Sequence, residues 1–152
     1  MKKKDLLDAL GTLGMIAGLV FVGAEIRQGT VATRAATVQQ VKDNWLDFNL
    51  TVASSPELAT AFQKGKAEGW NALSPGEQLM MTSFYRSLFH NWSNAYSQLL
   101  LGTLEDDQWL PNLRDAAPIA SDSVGLEVWR RFNHVYDDRF RTLMDSLIAV
   151  GR

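Results

Sequence analysis

Residues 9–24 read ALGTLGMIAGLVFVGA, sixteen positions without a charge. Lys2, Lys3, Lys4, Asp5 and Asp8 precede the run, and Glu25 and Arg27 end it. Accepting Asp8 and Glu25 at the edges extends it to 21 residues, Leu6 to Ile26. At about 1.5 Å per residue such a helix is roughly 31 Å long, close to one hydrocarbon core. An uncleaved transmembrane helix is therefore expected, with Asp8 and Glu25 near the two interfaces, where a charge costs least. Two other readings compete. A basic start followed by Val22-Gly23-Ala24 fits a cleaved signal peptide, although Asp5 and Asp8 are unusual there. A buried helix of a soluble bundle is the other reading, since glycines dilute the hydrophobicity.

Gly11, Gly14 and Gly18 are spaced i, i+3, i+7 and fall on one helical face. Gly14 to Gly18 forms a GxxxG, the spacing that lets membrane helices approach closely. These three glycines are the candidate helix–helix contact, with a second copy or with a subunit of a larger membrane complex. The spacing GxxGxxxG, with no strand before it, excludes a dinucleotide-binding loop. Lys2, Lys3 and Lys4 on one side are matched by Arg27, Arg34 and Lys42 on the other. Positive-inside counting is then a tie and assigns no orientation.

Downstream, Val31, Val38, Trp45 and Val52 recur every seven residues, with Val41 and Phe48 between them. That stripe predicts one long helix from about Lys4 to Ala53. Ser55-Pro56 and Ser74-Pro75-Gly76-Glu77 each place a capping serine before a proline, and Glu77 completes a capping box. Gly69 and Gly102 are the corresponding stops. The helix from Ser74 to Leu101 carries Met81, Phe84, Tyr85, Leu88, Trp92, Ala95, Tyr96 and Leu99 on one broad face. Thr103 is expected to cap the next helix, with Glu105, Asp106 and Asp107 in its first turn. Pro111 is expected to kink or end that helix, and Ala117-Pro118 to Ser123 to form a connection. A helix from about Val124 and a last one capped by Asp137 complete the chain. No alternating strand pattern is visible. The expected fold is all-α: an anchor over residues 1–27, continuing into a bundle of about five helices over residues 28–152.

The composition narrows the function classes. The chain has 152 residues, 46% hydrophobic, with Lys plus Arg 15 and Asp plus Glu 17. A net charge of -2 argues against a basic nucleic-acid binder, so no nucleic-acid partner is expected. With no cysteine there is no thiolate nucleophile and no cysteine-based metal centre. His134 has Asp137 and Asp138 at i+3 and i+4, but the paired Glu and Glu-x-x-His repeats of bundle metal sites are missing. Asp137 reads as a cap rather than a ligand. No serine lies in G-x-S-x-G, and Lys64-Gly65-Lys66-Ala67 lacks the remaining parts of a P-loop. No catalytic residue, cofactor or metal is expected. Trp45, Trp92 and Trp129 fall on apolar faces. Trp70 and Trp109, near turns, either close the core or meet a partner.

Glu25-Ile-Arg-Gln28-Gly-Thr30 resembles the Q-I-R-Q-N-T junction of a widespread family of short uncharacterised bacterial proteins, in which one predicted membrane helix precedes an α-helical domain. The similarity continues through Ala53 to Leu58, Leu73 to Glu77, Phe89 to Tyr96, Leu101 to Leu104 with Trp109, and Trp129 to Phe140. This chain has Glu25 where the family usually has Gln, and Gly29 where it usually has Asn. The resemblance implies a bacterial source and an anchored helical domain, without an activity. The expectation is thus a single-pass protein of the bacterial inner membrane, in contact with lipid. It would be non-enzymatic, an accessory or scaffolding component that self-associates or docks on a larger complex. A helical module binding a lipid or small apolar ligand is the alternative, and an enzyme without a recognisable motif is a further one.

Overall fold

In the computed structural model the described residues are 3–150, with side chains described from Gly11 onward. The side chains of Lys2, Lys3, Lys4, Asp5, Asp8, Ala9 and Leu10, which enter the membrane reading, lie outside the described residues. The order of helices is α1 (Lys3–Ser54), α2 (Pro56–Glu68), α3 (Pro75–Leu100), α4 (Asp106–Ala120), α5 (Ser123–Phe132) and α6 (Asp138–Val150). Two 3-10 turns, Trp70–Ala72 and Asn133–Val135, sit between α2 and α3 and between α5 and α6. No strand occurs among the described residues, of which 91% are helical, so the all-α expectation is met. The chain divides into two compact units, Met1–Ala36 and Thr37–Arg152.

In the first unit every described side chain, from residue 11 to residue 36, is exposed. This includes Met15, Leu19, Val20, Phe21 and Ile26. The Thr30 and Thr33 hydroxyls each donate back to the carbonyl four residues earlier, Ile26 and Gly29, at 3.0 and 2.9 Å.

The second unit holds the core. Ser55 caps α2 by accepting from the Leu58 amide at 3.2 Å, with Pro56 in the first turn. Ser74 and Glu77 form the reciprocal box that opens α3. Gly69 and Gly102 have φ of 85° and 70°, the left-handed region that favours glycine at a helix stop. Met81, Tyr85, Leu88, Phe89, Trp92 and Ala95 are the buried face of α3. Around it lie Trp129, Tyr136 and Phe140, each with its ring centre 5.5–6.1 Å from at least one of the others. Trp129 approaches Phe89 at 5.1 Å. A second, smaller cluster joins Ala95, Leu104 and Trp109.

Three local expectations are corrected. Thr103 does not cap α4: its hydroxyl is turned to Gln98, and Glu105 occupies the cap position, its amide donating to Gln108 at 3.1 Å. Pro111 and Pro118 neither end α4 nor form a connection, because the helix runs through both to Ala120. Each removes a donor from one intrahelical bond. Both prolines lie on the exposed side, seven residues apart, while Trp109, Ala116 and Ala120 bury the opposite face. Packing of that face outweighs the two lost bonds. The start of α5 depends on Asp122, not singled out above, which accepts from the Val124 and Gly125 amides at 3.0 and 2.7 Å.

Candidate functional site

A cleft lies within the second unit, between the last turns of α1 and residues 80–91 of α3. On α1, Asn44, Asp47, Phe48 and Thr51 recur at i, i+3, i+4, i+7, one helical face. On α3 a facing row runs Met80, Ser83, Phe84, Ser87 and Asn91. Leu58 of α2 closes one end. The cleft holds about 470 Å³, within the range of ligand pockets, roughly 300–1,000 Å³.

Its walls are apolar and its edge is polar. Phe48, Leu58, Met80 and Phe84 supply hydrocarbon, and Phe48 and Phe84 touch with ring centres 4.7 Å apart. Phe48 is backed by Trp45 at 5.5 Å. Phe84 meets Phe62 of α2 at 5.7 Å. The Thr51 and Ser83 hydroxyls are taken by their own helices, donating to the Asp47 and Leu79 carbonyls at 2.8 and 3.0 Å. The side chains of Asn44, Asp47, Ser87 and Asn91 have no hydrogen-bond or ion-pair partner among the described residues. Asp47 is the one ionisable group in the lining.

A second groove, of about 290 Å³, runs along the other side of the same stretch of α1, between Val38, Val41 and Trp45 and the helix α4. Its edge carries Lys42, Asp107 and Asp115, charges of both signs.

Elsewhere polar side chains are engaged in holding the fold. Tyr85 donates its hydroxyl to Asp122 at 2.5 Å, and Asp122 in turn caps α5. Burial first, and the Asp122 charge second, push the Tyr85 phenol well above its ordinary pKa. Burial likewise raises Tyr136 to about 12, against a lowering by Arg86. Trp129 donates to Asp145 at 2.8 Å. At the α2–α3 connection the Lys64 ammonium donates to Glu77 at 2.9 Å, and the Ser74 amide to the same oxygen at 2.7 Å. Lys64 first and Ser74 second hold the Glu77 carboxyl down at about 2. His134 is exposed in its 3-10 turn, while Asp137 accepts from the Arg139 and Phe140 amides, both at 3.0 Å, as the cap of α6. Among the described residues no group of three or more His, Asp or Glu could hold a metal ion.

Gly11, Gly14 and Gly18 are all exposed on α1, and a methyl group added to any of them would meet nothing within 4 Å. Trp92 and Trp129 are buried and Trp45 is half-buried, the positions expected of core residues. Of the two tryptophans near turns, Trp109 is buried, and Trp70 is half-buried with the Arg131 guanidinium over its ring at 4.7 Å. The cleft itself was not visible as a motif, because its polar residues sit on helix faces that read as solvated in isolation. No protein family, no curated protein and no solved structure matches this chain.

Proposed function

We propose that this chain is a single-pass, membrane-anchored helical protein of the bacterial inner membrane. Residues 1–27 would be the anchor and residues 28–152 an accessory or scaffolding domain. One observation carries the reading: α1 contains a stretch long and apolar enough to cross a membrane, near the N-terminus, with none of it buried. An apolar helix whose every side chain faces outward loses free energy in water, at about 25 cal/mol per Å² of exposed apolar surface, and lipid removes that penalty. A signal sequence meets the same criteria of length and composition. The two differ in whether the segment stays attached to the mature chain. The resemblance of residues 25–30 to the bacterial junction motif supports the anchored version. A non-enzymatic role belongs to the same proposal and rests on the motif reading of the sequence. So does self-association or docking through the Gly11, Gly14 and Gly18 face.

Fractionation of cells expressing the full-length chain tests it. Uncleaved protein is expected to stay in the membrane after carbonate and high-salt washing. The doubly substituted Ile16→Arg, Leu19→Arg chain is expected to leave it, because each arginine at mid-helix costs about 2.5–3.5 kcal/mol on insertion scales. Recovery of uncleaved wild-type chain in the soluble fraction, or of a chain shortened near Ala24, would overturn the anchor.

A further inference from the structure

We propose that the cleft between α1, α2 and α3 is a binding site for a small organic cation with an apolar body, such as a primary alkyl- or arylalkyl-ammonium compound. Its charge preference comes from Asp47, the single ionisable side chain lining the cleft. That carboxylate is without a hydrogen-bond or ion-pair partner among the described residues, so it is available to a ligand. No lysine or arginine lines the cleft to receive an anion. The apolar body would lie on Phe48, Phe84 and Met80, a surface whose thioether adapts to irregular shapes. Asn44, Ser87 and Asn91 add uncommitted donors and acceptors at the edge, the few convergent polar groups that fix a ligand's orientation in an otherwise apolar site. An ammonium offers three donors and no acceptor, matching one carboxylate and two amide oxygens.

The neighbouring groove along α4 does not carry the same inference. There Lys42 lines the same groove as Asp107 and Asp115, so its charge is mixed in sign. The cation site is independent of the anchor: it is built wholly from residues 44–91, and the fractionation result has no bearing on it.

The experiment compares three probes of nearly equal size on the full-length chain, in neutral phosphatidylcholine nanodiscs where fractionation finds it in the membrane and in plain buffer where it finds it soluble. They are 4-phenylbutylammonium, 4-phenylbutanol and 4-phenylbutanoate, titrated calorimetrically at pH 7 against the same medium without protein as the blank. The ammonium compound is expected to bind saturably, about two- to fivefold tighter than the alcohol, the range of an ion pair to an exposed carboxylate such as Asp47, and the carboxylate more weakly still. Asp47→Asn is expected to reduce the ammonium affinity to that of the alcohol while leaving the alcohol unchanged. Asp43→Asn removes the same charge from α1 at a residue that accepts from Gln39 at 2.8 Å and does not line the cleft. It is expected to change affinity by less than about twofold, because exposed distant charges are screened. Ser87→Trp, at an exposed position, is expected to fill the cleft and abolish binding of both ammonium and alcohol. The proposal is overturned by any one of three results: no saturable binding of the ammonium probe, equal binding of all three probes, or an unchanged affinity in Asp47→Asn.

Discussion

Gly125 and Gly14 are both glycines within α-helices, and their surroundings differ completely. A methyl group on Gly125 would stand 2.6 Å from the Ile119 carbonyl oxygen and 2.9 Å from the Tyr85 ring. A methyl group on Gly14 would meet nothing. In α5 the missing side chain is used by the chain itself: it lets α3 and the end of α4 close on the turn that Asp122 caps. In α1 the same residue type serves no contact that the described chain contains. A small residue in the bundle is thus required by internal packing. A small residue in the apolar segment needs another reason, and close approach to a second membrane helix is the one proposed. The difference between the two regions also separates two sources of stability, burial in the one and surroundings in the other.

The strongest test of the bundle side of this contrast is Trp92→Ala. Trp92 is 1% exposed and packs on Phe89 with ring centres 5.9 Å apart. Its removal is expected to cost about 3–5 kcal/mol, by lost transfer energy and the cavity left behind. The Trp92 indole nitrogen has no hydrogen-bond partner among the described residues. Trp92→Phe, which removes that donor and keeps most of the ring volume, is expected to cost clearly less. Chemical denaturation of both variants measures the difference. Equal losses would show that a phenyl ring recovers none of the packing, so that the full indole shape is needed at this position.

Next in size is Gly125→Ala. The carbonyl of Ile119 is backbone and cannot move alone, so the helix junction must shift. A cost of about 1–3 kcal/mol is expected, the range for overpacking. Thermal unfolding measures it, and a neutral result would mean that the α4–α5 junction is looser than the 2.6 Å approach implies.

How much of this was legible beforehand follows from where each interaction closes. The caps at Ser55 and Ser74 and the stops at Gly69 and Gly102 were readable, because a cap involves residues two to four apart. The extent of α1 was readable from its seven-residue stripe. The course of α4 was not. Pro111 and Pro118 signal breaks locally, and only the burial of Trp109, Ala116 and Ala120 on the opposite face overrides them. Phe89 escaped the sequence-derived face of α3 although it is fully buried, since it is covered by Trp129 and Tyr136 from far along the chain. The cleft shares that property. Asn44, Asp47 and Asn91 are ordinary polar residues on their own helices, and they become a set only when α1 and α3 lie side by side.

A smaller effect is expected at the edge of the bundle, where Lys64 and Ser74 hold the Glu77 carboxyl at about 2. A carboxylate whose pKa is depressed in the folded state stabilises the fold above its ordinary range, near 4.5. That contribution is lost as pH falls toward 2. Glu77→Gln is therefore expected to lower Tm slightly at pH 6 and to match the wild type at pH 2. Thermal unfolding at a series of pH values measures the convergence. Parallel curves would mean that Glu77 acts through the neutral capping bond alone. On the alkaline side the sign is reversed for Tyr136, whose phenol is raised to about 12. Burial penalises its ionised form, so the fold loses stability as pH rises from 10 to 12.

Gly14→Ala and Gly18→Ala should have the smallest effect on the bundle and so define the contrast most sharply. Neither methyl group meets an atom of the described chain, and alanine favours helix over glycine by about 0.8–1.0 kcal/mol. Thermal unfolding of the bundle should therefore be unchanged, in opposition to Gly125→Ala. If the glycine face packs on a second helix, the cost appears in association instead. Gly14→Leu and Gly18→Leu would then block the close backbone approach on which membrane helix contacts depend, while Phe21→Leu, which changes bulk on a residue already large, would leave the assembly intact. Crosslinking in native membranes and mass measurement in mild detergent read the assembly directly. A full retention of assembly in both leucine variants would place the glycine face against lipid, and any oligomer would then be held by the bundle. A loss confined to the glycine variants would give the open face of α1 its reason for staying small.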